Sequence, residues 1–237
     1  MLHGFTQTGA CFDELSELMG IQGIAPDLPG HRPNSVEATS LTEAADEVAS
    51  LLRSMDPPVP LLGYSQGGRI ALHVALAYPE LVSKLVVISA SPGLSDPTER
   101  ADRARLDEER AQRLLSEGVE SFLERWAALP MFKGLKSRDA AWLAQDQERR
   151  RTHTAQGLAT ALRGLGLGQQ EDLLPRLNEL PMPALFIAGT ADSAYVEHAF
   201  LMATEAPLGV PVFLPNVGHA VVGQDPKNLA RVLSVGL

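Results

Sequence analysis

The sequence predicts an α/β architecture: a mostly parallel sheet with flanking helices, interrupted by an inserted helical lid. Three observations carry this prediction. Short apolar runs alternate with helical stretches over residues 1–91 and again over residues 176–237. The intervening segment, residues 92–175, is helical in pattern, rich in Arg and Glu, and free of strand-like runs. Finally, the residues best suited to chemistry sit in turns that follow apolar runs: Ser65, Asp192 and His219.

The elements follow in chain order. Leu2-His3-Gly4-Phe5 reads as the end of a strand running into a turn. Only Met1-Leu2 precede that turn, too little for a central strand, so an upstream extension of roughly 10–20 residues is expected, two to three strands at ordinary strand length. Leu41 to Met55 has helical periodicity, with Thr42 a candidate N-cap. Val59-Pro60-Leu61-Leu62 is a strand and Gly68 to Tyr78 a helix. Leu85-Val86-Val87-Ile88 is a buried strand that ends at Ser89-Ala90-Ser91-Pro92-Gly93. Pro92-Gly93 and Pro175 are the expected hinges of the lid, whose helices run from Thr98 to Leu177. Leu185 to Gly189 and Val212-Phe213-Leu214 complete the strands. The two core segments, 1–91 and 176–237, thus enclose a lid of residues 92–175.

Gly63-Tyr64-Ser65-Gln66-Gly67 lies between a strand and a helix, the context a G-x-S-x-G nucleophile elbow requires. The alternative is a glycine-rich structural turn. The elbow would present the Ser65 hydroxyl and place the Gln66 N–H at a helix N-terminus, where a developing oxyanion is stabilised. The His-Gly turn would add a second donor, the Phe5 N–H. Asp192 and His219 each follow a strand, and the order Ser65, Asp192, His219 is that of the α/β-hydrolase fold.

The 237 residues suffice for one α/β domain with a sizeable core. Hydrophobic content of 45% and charged content of 21% are ordinary for a globular chain. A net charge of −9 argues against nucleic acid as a partner. No run has the length and apolarity of a membrane span and no leader pattern opens the chain, so no membrane association is expected. The single cysteine, Cys11, allows no internal disulfide, reads as packing filler, and fits a cytoplasmic setting. Charge is uneven: residues 92–175 hold 13 of the 20 Lys and Arg beside 14 acidic residues. Arginines there could face an anionic ligand, although most fit a solvated helical surface laced with ion pairs.

The elbow with its continuation, Gly63 to Arg69, resembles that of the 2-succinyl-6-hydroxy-2,4-cyclohexadiene-1-carboxylate synthases of menaquinone biosynthesis. The likeness continues through Ser91-Pro92-Gly93-Leu94, Glu99 to Arg103, Phe122 to Trp126, Leu129-Pro130-Met131-Phe132 and Gly157 to Gly166, and covers nearly the whole chain. The family eliminates pyruvate from a cyclohexene bearing several carboxylates. By resemblance, Ser65, activated by His219 and Asp192, acts as a base on a ring proton, and the Phe5 and Gln66 N–H groups receive the enolate-like charge. Arg69, Arg103 and a lid arginine near Arg150 clamp carboxylates, and Tyr64 and Trp126 line the pocket. The resemblance implies an anionic small-molecule substrate and no cofactor, and leaves oligomeric state open.

The residues support this in part. Arg69 lies four positions after Ser65, sharing its helix face, where a guanidinium suits a carboxylate; a surface ion pair is the alternative. Spacing does not separate Arg103 from Arg100, nor Arg150 from Arg149 and Arg151. Trp126 also reads as lid core, and Tyr64 as packing beneath the lid. The loop Arg32-Pro33-Asn34 departs from the glycine-rich turn expected there, and Gln66 is more polar than expected. His3 and His31 are expected to hold turns and His73 to be packed. His153 and His198 lack partners at metal-ligand spacing, so no metal is expected. Three functions remain open: a pyruvate-eliminating lyase, a serine hydrolase of esters or carbon–carbon bonds, and a non-catalytic binding protein.

Overall fold

The computed structural model describes residues 1–32 and 38–236. Pro33 and Asn34, which the sequence marks as an unusual loop, lie outside the described residues.

Helix α1 spans Asp13–Met19, and α2 spans Leu41–Arg53. Helix α2 buries Leu41, Ala44, Ala45, Val48, Ala49 and Leu52, the stripe that a 3.6-residue period puts on one face. Its N-cap is Ser40, whose side chain accepts from the Glu43 N–H, so the expectation for Thr42 is off by two positions. Thr42 falls inside the first turn, where its hydroxyl is not placed to take that bond.

Strand β1, Val59–Tyr64, leads into α3, Gln66–Ala77. Strand β2 is Val82–Ile88. The lid follows, and then β3, Ala184–Gly189, α7, Ser193–Glu205, and β4, Gly209–Leu214. The four strands are parallel in the order β1-β2-β3-β4. Strands β1, β2 and β3 are covered on both faces, by α2, α3 and α7 on one side and by α1 and the C-terminal helix Pro226–Gly236 on the other, while the edge strand β4 leaves Val210 and Phe213 exposed. That is why the strands read as continuous apolar runs and not as alternating ones.

The register aligns the strand ends. Tyr64 pairs with Ile88, and Ile88 with Ile187. The loops carrying Ser65, Ser89 and Asp192 therefore emerge together at the carboxyl edge of the sheet, where open α/β sheets present their sites. Leu2 lies against β1 as an isolated parallel bridge to Gly63, donating its N–H to Leu62 O at 2.8 Å and accepting from Tyr64 N at 2.9 Å. These two bonds fix the His3-Gly4 turn beside the elbow.

In the lid, α4 covers Pro97–Ala127 and breaks at Gly118, where φ is 82°. A 3₁₀ segment, Pro130–Ser137, α5, Ala140–Arg151, and α6, Ala155–Leu165, follow. The lid has its own small core of Ala111, Leu114, Phe122, Leu158, Ala159 and Leu162, against which Phe5 and Trp126 pack. Phe5 thus belongs both to the turn after the first bridge and to the lid. Among the described residues, no helix is long and apolar enough to cross a membrane.

Candidate active site

Ser65 sits between β1 and α3 at φ 53° and ψ −112°, a conformation that non-glycine residues rarely occupy. Neighbouring backbone holds it there: Ser65 donates its N–H to Ile88 O at 2.8 Å, and its carbonyl accepts from Arg69 N at 3.1 Å. The turn also needs Gly67, because a Cβ there would lie 2.2 Å from Leu2 O and 2.6 Å from His3 O. Gly67 donates its N–H to His3 O at 3.0 Å, joining the elbow to the His3-Gly4 turn.

Two loops supply the other members. Asn216 donates its N–H to Thr190 Oγ1 at 2.8 Å, and Ala191 donates to Val217 O at 2.9 Å. So fastened, the loops bring Asp192 Oδ2 within 2.9 Å of His219 Nδ1, and His219 Nε2 within 3.0 Å of Ser65 Oγ. The carboxylate assigns the proton to Nδ1, which leaves Nε2 to accept the Ser65 proton. The imidazole is 2% exposed and packed by Tyr195, 4.4 Å between ring centroids, and by Phe132 of the lid. This arrangement can deliver a serine oxygen and store its proton beside it, which serves either nucleophilic attack or proton abstraction.

The group faces a cavity of about 290 Å³. Phe5, Tyr64, Gln66, Arg69, Arg103, Trp126 and Arg150, all singled out in the sequence, line it. Tyr64 is almost fully buried, and burial pushes its phenol pKa up. Trp126 plays both parts weighed for it. It stacks on Phe122 at 5.8 Å in the lid core, while its buried indole N–H meets no acceptor among the described residues.

The arginines differ in how they are held. Arg69 is buried, and among the described residues no carboxylate pairs with it; Gln170 Oε1 lies 3.4 Å from its Nη1. Burial, and then the nearby charge of Arg103, lower its pKa to about 10. Arg103 directs Nε at both oxygens of Asp107, at 3.1 and 3.0 Å. Arg150 puts Nε on Asp146 at 2.7 Å and Nη1 on Thr6 Oγ1 at 2.6 Å. The structure also separates the neighbours that spacing left equivalent. Arg149 and Arg151 pair with surface acids, Asp13 for the first and Glu120 and Glu148 for the second, and Arg100 does not line the cavity.

Sequence reasoning missed Arg110, which also lines the cavity. It donates to Asp107 Oδ1 at 3.0 Å and lies over the Trp126 ring at 5.6 Å. Burial, and then Arg103, lower its pKa. The signal was available: Arg103, Asp107 and Arg110 recur at helical spacing on one face of α4. Tyr195 and Gln170 were also missed, and neither carries a pattern that marks it. Four arginines and two carboxylates line the cavity, one of those carboxylates already bound to His219.

His153, for which the sequence shows no partner at metal-ligand spacing, is held by three contacts of another kind. Its ring lies 5.2 Å from that of His31, it donates Nε2–H to Thr6 O at 2.9 Å, and it accepts from Arg32 N at 3.1 Å. Spacing could not show this, because the partners are more than a hundred residues away. Among the described residues, no cluster of His, Cys, Asp and Glu forms a metal site.

Comparison with known proteins gives the same reading. A family model described as the alpha/beta hydrolase family matches residues 1–232. A putative 2-succinyl-6-hydroxy-2,4-cyclohexadiene-1-carboxylate synthase of Bacillus subtilis is 31% identical over 98% of this chain and 87% of its own. A putative carbamate hydrolase, RutD of Serratia proteamaculans, is 33% identical over 82% of this chain and 71% of its own. Among solved structures, MenH from S. aureus superposes with a TM-score of 0.93 at 29% identity, over 99% of this chain and 90% of that one. The chain belongs to the alpha/beta hydrolase family, and similarity along its whole length places it among the 2-succinyl-6-hydroxy-2,4-cyclohexadiene-1-carboxylate synthases of that family.

Proposed function

We propose that this protein is a carbon–oxygen lyase of menaquinone biosynthesis. It eliminates pyruvate from 5-enolpyruvoyl-6-hydroxy-2-succinyl-cyclohex-3-ene-1-carboxylate to give 2-succinyl-6-hydroxy-2,4-cyclohexadiene-1-carboxylate. The observation that carries the reading is the union of a Ser–His–Asp hydrogen-bond chain with a cavity whose arginines outnumber its carboxylates. A neutral ester has no use for such a lining. A substrate with several carboxylates needs it, and Arg69 is buried without a carboxylate of its own among the described residues.

The chemistry follows from the positions. Ser65 oxygen, its own proton passed to His219 Nε2, removes the ring proton beside the succinyl carbonyl. Negative charge moves onto that carbonyl oxygen, which the Phe5 and Gln66 N–H groups receive. Collapse of the enolate shifts the ring double bonds and breaks the carbon–oxygen bond, and the departing oxygen takes the proton stored on His219, so that the enol of pyruvate leaves and the triad returns to its starting state. Asp192 holds the imidazole in the tautomer that accepts at Nε2 and stabilises it once charged. Arg69, Arg103 and Arg150 hold substrate carboxylates, while Tyr64 and Trp126 close the pocket. No cofactor, nucleic acid or membrane enters this reading, and the setting is cytoplasmic.

The test is an assay of pyruvate release from the cyclohexene substrate, run beside hydrolysis of p-nitrophenyl acetate. Rapid pyruvate release with weak ester turnover is the expected result. Fast ester turnover with no pyruvate would instead assign the same residues to an acyl-enzyme hydrolase.

A further inference from the structure

Thr6 is held in an unusual way. Its φ is 66°, in the left-handed region, which β-branched residues avoid because Cβ crowds the carbonyl. Each of its polar groups has a separate buried or half-buried partner. Its N–H is donated to His31 Nε2 at 3.2 Å, its carbonyl accepts from His153 Nε2 at 2.9 Å, and its hydroxyl oxygen accepts from Arg150 Nη1 at 2.6 Å. Such a conformation persists only where the surroundings over-determine it.

The partners come from two sources. His31 lies in the loop after β-bridge residue Leu2 and the Asp27 turn, while Arg150 lies in the last turn of the lid helix α5 and His153 two residues beyond its end. Backbone contacts fix the tautomers. His31 Nδ1 faces Pro29 O at 3.0 Å, so it carries the proton and Nε2 accepts. His153 Nδ1 accepts from Arg32 N at 3.1 Å, so its Nε2 carries the proton and donates. Burial holds both rings below their ordinary pKa, in the neutral form these roles require.

Thr6 is the immediate neighbour of Phe5, whose N–H is the oxyanion donor of the proposed reaction. The Phe5 ring is edge-on to His31 at 5.7 Å and to the lid residue Trp126 at 5.2 Å. We infer that Thr6 is a latch: the docked lid, through His153 on its carbonyl and Arg150 on its hydroxyl, keeps Thr6 left-handed and so aims the Phe5 N–H at the oxyanion. His153 is then a positioning residue for a donor that it never touches. The oxyanion site is complete only with the lid seated, which couples substrate enclosure to catalytic competence.

The inference rests on Ser65 and Phe5 forming the reactive site, and the test keeps the two levels apart. A fluorophosphonate reacts with an activated serine through an anionic transition state at the oxyanion site, and mass spectrometry of the intact protein reads its rate. Wild type should be labelled at Ser65. His153→Ala should slow labelling at least tenfold, with its thermal transition still cooperative. His153→Gln, which can still donate to the Thr6 carbonyl, should recover most of the rate. Thr6→Gly adopts positive φ without crowding, so the penalty of His153→Ala should shrink severalfold in the Thr6→Gly background. The decisive measure is this coupling, since a merely structural defect would add independently. An unchanged labelling rate in His153→Ala, or an equal penalty in both backgrounds, would overturn the latch. Absence of labelling in wild type would instead remove the Ser65 reading, and the latch with it.

Discussion

Arg69 faces the amide oxygen of Gln170 at 3.4 Å, and no carboxylate among the described residues pairs with it. Gln170 is itself fully buried and donates to Ser91 O at 3.3 Å, so its amide is fixed with its oxygen toward the guanidinium. A neutral acceptor orients the cation without neutralising it, which leaves the charge available to a ligand. Gln170→Glu tests this with almost no change in shape. It should raise KM for the carboxylated substrate by at least tenfold, because the new carboxylate competes with substrate for Arg69. Unchanged KM would mean that Arg69 does not face the ligand.

Ser65 and His219 should behave as one unit. Substituting either with Ala is expected to lower turnover by on the order of 10³-fold or more, and the double variant should lose little beyond that. Retention of more than a tenth of wild-type pyruvate release in Ser65→Ala would remove the assignment.

Arg103 and Arg110 share Asp107, which is 2% exposed. Removing either guanidinium should weaken transition-state stabilisation by about 2–4 kcal/mol, since a desolvated carboxylate loses a charged partner. Lys should restore only part of the loss, as it lacks the planar fork. Rising salt should slow wild type at low substrate, through screening of a multiply charged anion approaching a cationic cleft. Measuring kcat/KM for wild type, Arg103→Ala and Arg110→Ala across a salt series checks both points. Equal values for all three at every salt concentration would make these surface charges.

Buried His3 and half-buried His73 predict an acid limit to stability. Burial is the leading cause that lowers His3 and His73 from 6.5 to about 4. Between those values the unfolded chain binds more protons than the folded one, so stability rises with pH through this window and is lost as pH falls through it. Each group can contribute at most about 1.4 kcal/mol per pH unit there. Tm should therefore drop between pH 7 and pH 5. His73→Gln, which keeps polarity but cannot titrate, should show a shallower drop, and an identical slope would exclude His73 from the linkage.

Much of the architecture could be read from the chain because local physics dictates it. Apolar runs such as Leu85 to Ile88 must be buried on both faces, and a glycine-flanked serine between a strand and a helix leaves few alternatives to an elbow. The triad members each lie on a short loop after a strand, so their order alone indicated how they meet. The boundary at Ser40 was legible as well, since Ser is the better capping residue and Glu43 three positions on completes a capping-box pattern that Thr42 lacks.

Local pattern could not decide questions of long-range approach. Arg150 is distinguished from Arg149 and Arg151 solely by which way α5 faces when the lid docks on Thr6. Arg110 shares a legible helical spacing with Arg103 and Asp107, but it meets Trp126 only because α4 breaks at Gly118 between them, and His153 needed a partner 147 positions away. The sequence by itself determined the elements and the reacting groups, because those depend on neighbours a few residues apart. The tertiary structure alone decided which cations face the cavity and which residues brace the oxyanion turn, because a side chain's role there is set by surfaces that only folding brings together.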